Sequence, residues 1–400
     1  MLQSIEIKKD IYWVGINDRN LHLFENLWPL PYGVVYNSYL IDDNKVALVD
    51  TVEGSKSGEY LKKIQSIIGK DKCIDYLIVN HMEPDHSGQI NELVKHYPNI
   101  KIIGNCKTFD MIKNFYGITE ENTHEVKEGD TIDLGNHKLK FYMTPMVHWP
   151  ETMMTYELNN DILFAGDAFG SFGALDGGIF DDEVDLDFFE DEMRRYYSNI
   201  VGKYGSPVQR ALKKLSNLNI KTICSTHGPI WRSELNKVVY LYDKWSKYEA
   251  EEGVVIIYGS MYGNTRKMAE TIARAVSESG IEKVRIYDAS KTHPSYILSD
   301  IWKYKGLIIG SCVYNANLFP PIDGLVKKLV NRNIKNRILG IFGNYSWSGG
   351  AINNLKAFAE KCNLDLAAEP LDVKSSPKTE DISRCISIGK AVAQKLKDYN

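Results

Sequence analysis

The sequence predicts an α/β protein of two consecutive domains, an αββα sandwich over residues 1–250 and a doubly wound parallel sheet over residues 254–400. Three observations carry this prediction. The chain has 400 residues, more than one ordinary core accommodates, and its apolar residues are spread evenly along it. Before residue 250, continuous apolar runs and alternating runs both occur among helical stretches, which calls for mixed sheets packed between helices. After Gly253 apolar strands and helices alternate regularly, the grammar of a parallel sheet.

In the first half the strand candidates are VALVD ending at Asp50, YLIVNH ending at His81, IKIIGN ending at Asn105, KLKFYMTP, MMTYEL, ILFAGDA and TICSTH ending at His227. Helices are expected around residues 55–68, 88–97, 107–116, 187–204, 207–217 and 233–249. The charged segment YEAEEG reads as the end of a helix and a short linker. Beyond it VVIIYG, VRIYDA, GLIIGS and ILGIFGN are strands, followed in turn by helices near 265–279, 294–302, 321–331 and 349–362, with a last helix near 380–398. A five-stranded sheet of this kind places its ligand outside the carboxyl ends of the strands.

Composition removes several function classes. Lys plus Arg is 48 against 52 for Asp plus Glu, a formal net charge of −4, and no basic run or stripe addresses a nucleic-acid backbone. The opening MLQSIEIKKDIYWVG has neither the basic start nor the apolar core of a signal peptide, and no apolar run reaches the length of a bilayer span. Cys73, Cys106, Cys224, Cys312, Cys362 and Cys385 are scattered without a CxxC pair, which reads as reduced thiols in a cytoplasm and speaks against a four-cysteine metal module.

The chemistry of the first half concentrates on strand ends. Asn80-His81-Met82-Glu83-Pro84-Asp85-His86 directly follows an apolar strand, so four potential ligands crowd one tight loop. His148 in TPMVHWPET, Asp167 in LFAGDAFG and His227 in CSTHGP also close or follow strands, where neighbouring strands of a sheet bring them together. Seven ligands exceed one tetrahedral ion and suit two metals, with Asp167, an isolated acid at an apolar strand end, as the bridge. A lone buried histidine is more often a hydrogen-bonded core residue, and His22, His96, His124, His137 and His293 receive that reading.

The spacing resembles the metallo-β-lactamase superfamily, whose HxHxDH, His, Asp and His bind two metals. Glu83 replaces a histidine of that pattern, and HxExDH is the mark of the flavodiiron proteins within the superfamily. A carboxylate hardens the site toward iron rather than zinc. The resemblance implies one iron held by His81, Glu83 and His148, the other by Asp85, His86 and His227, with Asp167 between them. It also implies that Tyr196 or Tyr197, in RRYYSNI, stands over the metals, and that LHLFENLWPLPYG, with Glu25 and Trp28, borders the pocket. YNSYLID and HWPETMMTY are further matching segments.

In the second half Gly259-Ser260-Met261-Tyr262-Gly263-Asn264-Thr265 joins a buried strand to a helix, where amides, the Ser260 and Thr265 hydroxyls and the helix dipole would face a phosphate. The loop has no P-loop lysine, so a triphosphate is disfavoured. Ser311-Cys312-Val313-Tyr314-Asn315 and the loop containing Asn344, Tyr345, Trp347 and Gly349 follow the next strands and offer the flat apolar faces and edge donors that an isoalloxazine ring needs. All three loops resemble flavodoxin, which implies FMN.

Taken together, the resemblance implies an oxidoreductase that passes electrons through FMN to two irons and reduces O2 or NO. It implies a separate donor, rubredoxin or another reduced carrier, and a head-to-tail homodimer or a dimer of such dimers. A dinuclear zinc hydrolase would leave the flavin loops without purpose. A flavodoxin-like carrier would leave the seven ligands as scaffold.

Overall fold

A computed structural model describes residues 4–399 of the chain, so Met1–Gln3 and Asn400, inside the expected domain limits, lie outside it. The chain divides into two compact units, Met1–Asp243 and Lys244–Asn400.

Two sheets make the first unit. One has seven strands in the order Ile5–Lys8, Ile11–Trp13, Tyr39–Ile41, Ala47–Val49, Tyr76–Ile78, Lys101–Gly104 and Thr123–Glu125. The other has five, in the order Thr131–Asp133, Lys138–Met143, Met153–Glu157, Ile162–Gly166 and Thr222–Ser225. Alternation sends Leu139, Phe141, Ile162, Phe164 and Cys224 from the second sheet into one cluster with Ile11, Trp13, Tyr39, Ile41, Val49, Ile78 and Ile103 from the first. Each large side chain buried there contributes about 1.5–3 kcal/mol relative to exposure, so the layer between the sheets fixes their register.

Local chemistry sets where helices start and stop. Asn105 accepts from the amides of Lys107 and Thr108 and caps the helix Cys106–Tyr116, which ends at Gly117 in the left-handed region, φ 67°. Asp185 caps Leu186–Tyr196 in the same way through the Phe188 amide. The single helix expected over 187–204 is not continuous: after Tyr196 the turns widen into a π segment, Tyr197–Val201, and then tighten into a 3-10 turn, Gly202–Tyr204. Such widening has no sequence periodicity to announce it and clusters at functional sites.

In the second unit every strand of the main ladder runs parallel. The order is Val284–Asp288, Glu251–Gly259, Tyr304–Tyr314, Ile338–Tyr345, then an edge position shared by the short pieces Asp365–Leu366 and Leu371–Lys374. The order reverses between Glu251–Gly259 and Tyr304–Tyr314, and a crevice forms at the carboxyl ends there. Glu251 and Glu252, expected in the linker, belong to the first strand, and the helix before it is Leu235–Ser246. Among the described residues no helix is long and apolar enough to cross a membrane.

Candidate metal centre and flavin cleft

The loop after Tyr76–Ile78 is anchored before it presents any ligand. Asp50 accepts from both the amide (2.7 Å) and the side chain (3.0 Å) of Asn80, and the Thr155 hydroxyl donates to Asn80 Oδ1 at 2.7 Å. His81 and Glu83 follow, and Pro84 opens the short helix Pro84–Ser87 that carries Asp85 and His86. Asp167 leaves the strand Ile162–Gly166, His227 leaves Thr222–Ser225, and His148 lies between Lys138–Met143 and Met153–Glu157.

All seven predicted ligands converge, in two sets. The donor atoms of His81, Glu83, His148 and Asp167 lie within 4.8 Å of one another, as do those of Asp85, His86 and His227. Glu83 Oε2 is 3.3 Å from His81 Nε2 and 3.1 Å from His148 Nε2. Asp85 Oδ2 is 3.3 Å from Nε2 of both His86 and His227. Asp167 divides between the sets: Oδ2 is 3.0 Å from His148 Nε2 and 3.5 Å from His81 Nε2, while Oδ1 is 2.9 Å from His86 Nε2. Donors about 2.1 Å from one ion and at right angles are about 3 Å apart, so both sets have the spacing of a coordination shell.

The electrostatics agree with a place for cations. Burial pulls the imidazoles down, yet Asp85 and Asp167 outweigh it and raise His86 to about 9, and Asp167 with Glu83 raises His148 to about 9. Burial pushes Asp167 up, but His86, His81 and His148 hold it well below its ordinary value. Neither Asp85 oxygen has a hydrogen-bond partner although both are buried. A buried carboxylate that accepts no hydrogen bond and faces two imidazoles at 3.3 Å is best satisfied by a cation held among them.

Around the ligands stands an aromatic wall. Tyr196 is fully buried, its ring is 5.4 Å from that of His227, and its hydroxyl has no partner in the protein. Tyr197 packs its ring on that of Tyr242 at 5.0 Å, and it is Tyr196 whose ring meets His227. Phe24, from the expected bordering segment, packs edge-on to His227 at 5.2 Å. Glu25 and Asn26 both take left-handed φ, 52° and 54°, and the Trp28 indole donates to Glu25 at 2.9 Å. Glu25 as a residue is solvent-exposed, yet burial of its carboxyl tip and the charge of Glu83 push that group up to about 7.

Of the five histidines expected in the core, only His137 is buried, paired with Glu157 at 3.2 Å. His22, His96 and His124 are exposed, and His293 is half-buried and caps the helix Pro294–Lys303 by accepting from the Ser295 amide.

The predicted flavin loops line a cleft of about 370 Å³. Its walls are Ser260, Met261, Tyr262, Asn264 and Thr265, then Cys312 to Ala316, then Asn344 to Ser348. The helix Asn264–Glu278 opens on it without a side-chain cap, and the buried Thr265 hydroxyl has no partner. These free donors at a helix start fit a phosphate. Gly263 turns the chain at φ 91°, and Ser260 Oγ accepts from its amide at 3.0 Å. Trp347 and Tyr262 are 90% and 92% exposed, open faces with room for a planar ring. Two expected residues, Ser311 and Gly349, lie outside the lining, and Asn344 is held within it. Ser311 Oγ donates to the Cys312 carbonyl and accepts from the Phe319 amide. Asn344 donates to the carbonyls of Val373 and Ser375, and Gly349 lies just beyond the lining.

Comparisons with known proteins follow the same division. A model of the ODP family beta lactamases matches residues 34–228 and a flavodoxin model matches 256–389. An anaerobic nitric oxide reductase flavorubredoxin of Enterobacter sp. (strain 638) is 34% identical over 98% of this chain and 82% of its own length. The rubredoxin oxygen:oxidoreductase of Desulfovibrio gigas superposes with a TM-score of 0.95 at 30% identity, covering 99% of both chains. The flavodiiron protein of Giardia intestinalis does so with 0.94 at 26% identity, over 99% of this chain and 97% of that one. This chain belongs to the flavodiiron family.

Sequence reasoning passed over several residues that complete the site of this flavodiiron protein. Glu151 Oε1 lies 2.8 Å from His81 Nδ1, Thr226 Oγ1 donates to Asp167 Oδ1 at 2.5 Å, and the His227 Nδ1 donates to the Val35 carbonyl at 2.8 Å. Tyr36, buried, sets its ring 5.8 Å from that of His227. Their signal was present only as membership of HWPETMMTY and YNSYLID, and as a hydroxyl one residue before His227.

Proposed function

We propose that this flavodiiron protein takes electrons from a reduced carrier into FMN and delivers them to a non-haem diiron site that reduces O2 to water, NO to N2O, or both. The observation that carries this reading is Asp167, whose two oxygens face two separate donor sets. His81, Glu83 and His148 would hold one iron, and Asp85, His86 and His227 the other. Bound there, the pair supplies reducing electrons and open positions for a diatomic gas. The protein's residues do the rest. The carboxylates offset the ionic charge, and Glu151 and Val35 hold His81 and His227 with Nε2 free to ligate. The unpartnered Tyr196 hydroxyl is placed to donate a hydrogen bond into the pocket, and the Phe24 and Tyr196 rings exclude bulk water.

In the second unit the uncapped helix Asn264–Glu278, with Ser260 and Thr265, would bind the FMN phosphate, and Tyr345 and Trp347 would flank the ring. Reducing O2 to two waters takes four electrons, two from the irons and two from the flavin; reducing two NO to N2O takes two. A zinc hydrolase is the weaker reading, because Glu83 replaces a histidine and the second unit would have no role. A rubredoxin-type carrier is the donor we favour, and a head-to-tail homodimer, or a dimer of such dimers, the assembly that brings one chain's flavin to its partner's irons. All six cysteines are free, in keeping with a reducing cytoplasm.

Metal analysis with an absorption spectrum tests the reading: two irons and one flavin per chain are expected, whereas zinc without flavin overturns it. Anaerobic reduction followed by separate stopped-flow mixing with O2 and with NO then assigns the gas.

A further inference from the structure

The ligand histidines differ in what stands behind them. His227 Nδ1 donates to a neutral carbonyl, that of Val35, at 2.8 Å. His86 Nδ1 is buried without a hydrogen-bond partner. Behind His81 stands a carboxylate, Glu151, itself only 1% exposed, with Oε1 2.8 Å from His81 Nδ1.

Glu151 is held where it is by other contacts. The same Oε1 accepts from the Met82 amide at 2.9 Å, and the Glu151 carbonyl accepts from the Asn105 side chain at 2.6 Å. Asn105 is the cap of the helix Cys106–Tyr116, so the carboxylate is tied to a rigid element. Its second oxygen, Oε2, is buried and has no hydrogen-bond partner. Among the described residues the one ion pair of Glu151 is with His81.

A carboxylate only accepts, so the His81 proton sits on Nδ1 and its lone pair on Nε2, the atom 3.3 Å from Glu83 Oε2 and 3.5 Å from Asp167 Oδ2. An imidazole that donates to a carboxylate also becomes a more basic ligand than one that donates to a carbonyl or to nothing. We propose that Glu151 is a positioning residue of the metal centre, fixing the His81 tautomer and making the ion bound by His81, Glu83 and His148 the more electron-rich of the pair. The two halves of the centre therefore differ although their ligand types are alike. The inference rests on the diiron reading above.

The test uses the full-length holoprotein and three variants. Glu151→Gln keeps size and an acceptor oxygen but loses the charge; Glu151→Asp keeps the charge but falls one methylene short; Asn105→Ala removes a neighbouring tie without touching charge. Iron per chain, the rate of iron loss to a ferrous chelator, and the two iron midpoint potentials from an EPR-monitored titration are measured, with FMN content and melting temperature as controls on folding. Glu151→Gln is expected to raise one midpoint potential, leave the other near its wild-type value, and weaken iron retention on the order of 10- to 100-fold. Asn105→Ala, which loosens the backbone of Glu151 but keeps its charge, should move the same potential less than Glu151→Gln does. If Glu151→Gln does not accumulate as folded protein, Glu151→Asp carries the test through a smaller positive shift of the same potential. Unchanged potentials and retention in the folded Glu151 variants overturn the inference while the diiron reading stands. A wild-type protein that binds no iron overturns both.

Discussion

At the scale of single residues, the proposed iron preference is tested first at Glu83. Glu83→His restores an all-imidazole side to the first set, and the iron-to-zinc ratio of protein purified from a medium holding both metals should fall on the order of tenfold, about 1.4 kcal/mol of discrimination. Tyr196→Phe separates role from packing. The hydroxyl is buried and unpartnered, so its loss should leave the melting temperature equal or higher. Turnover should nonetheless drop about tenfold or more if it donates to what the irons hold, and an unchanged rate with either gas would end that role. The thiols give a pH-dependent check. Burial, then the charge of Asp381, push Cys385 up to about 11. Its folded value is thus raised, so the stability it contributes is present below the ordinary thiol value near 9 and is lost as pH rises through about 11. Iodoacetamide at pH 8 should label exposed Cys73 and Cys106 in the native protein and spare Cys385 by mass spectrometry. The seven residues that converge were legible because residue types able to ligate a metal stand out at strand ends. Glu151 and Tyr36 were not, because a carboxylate behind a histidine and an aromatic beside one leave no spacing rule in the chain.

At the scale of elements, the second unit was the easier to read. Strands there are long apolar runs bounded by helices, and helix limits expected from the sequence fall within about two residues of those observed, a margin usual for helix ends. The first unit hid its three-residue strands, Ile11–Trp13 and Tyr39–Ile41 among them, because so short a run cannot display a period. The π segment Tyr197–Val201 was also hidden, because a single widened turn shows no residue period of its own. Two substitutions probe the second unit. A Cβ at Gly310 would stand 2.0 Å from the Phe342 ring on the paired strand, so Gly310→Ala should destabilise this unit by about 1–3 kcal/mol in denaturant titration. Thr265→Val, at the uncapped helix start, should leave that stability intact and release FMN on dilution. Retained flavin would move the phosphate site elsewhere.

At the scale of the whole molecule, each unit has its own core, and the proposed function assigns the irons to the first and the flavin to the second. Hybrids test the proposed assembly. A chain with Asp167→Ala and a chain with Thr265→Val plus a disrupted Ser260 loop should each be inactive alone, and co-expressed they should regain activity through one competent pair. Inactive hybrids holding both cofactors would rule out transfer between chains. The ligands also have an order in time. Four of them, His81, Glu83, Asp85 and His86, leave the ribosome within six residues, whereas Asp167 and His227 follow only after roughly 80 and 140 more, several seconds of synthesis at ~5–20 residues per second. During that interval the loop of His81, Glu83, Asp85 and His86 exists without Asp167 and His227. If that loop captures an ion in the interval, zinc supplied only while the chain is being made should persist after iron is restored, whereas full exchange for iron would show that the centre is filled after folding.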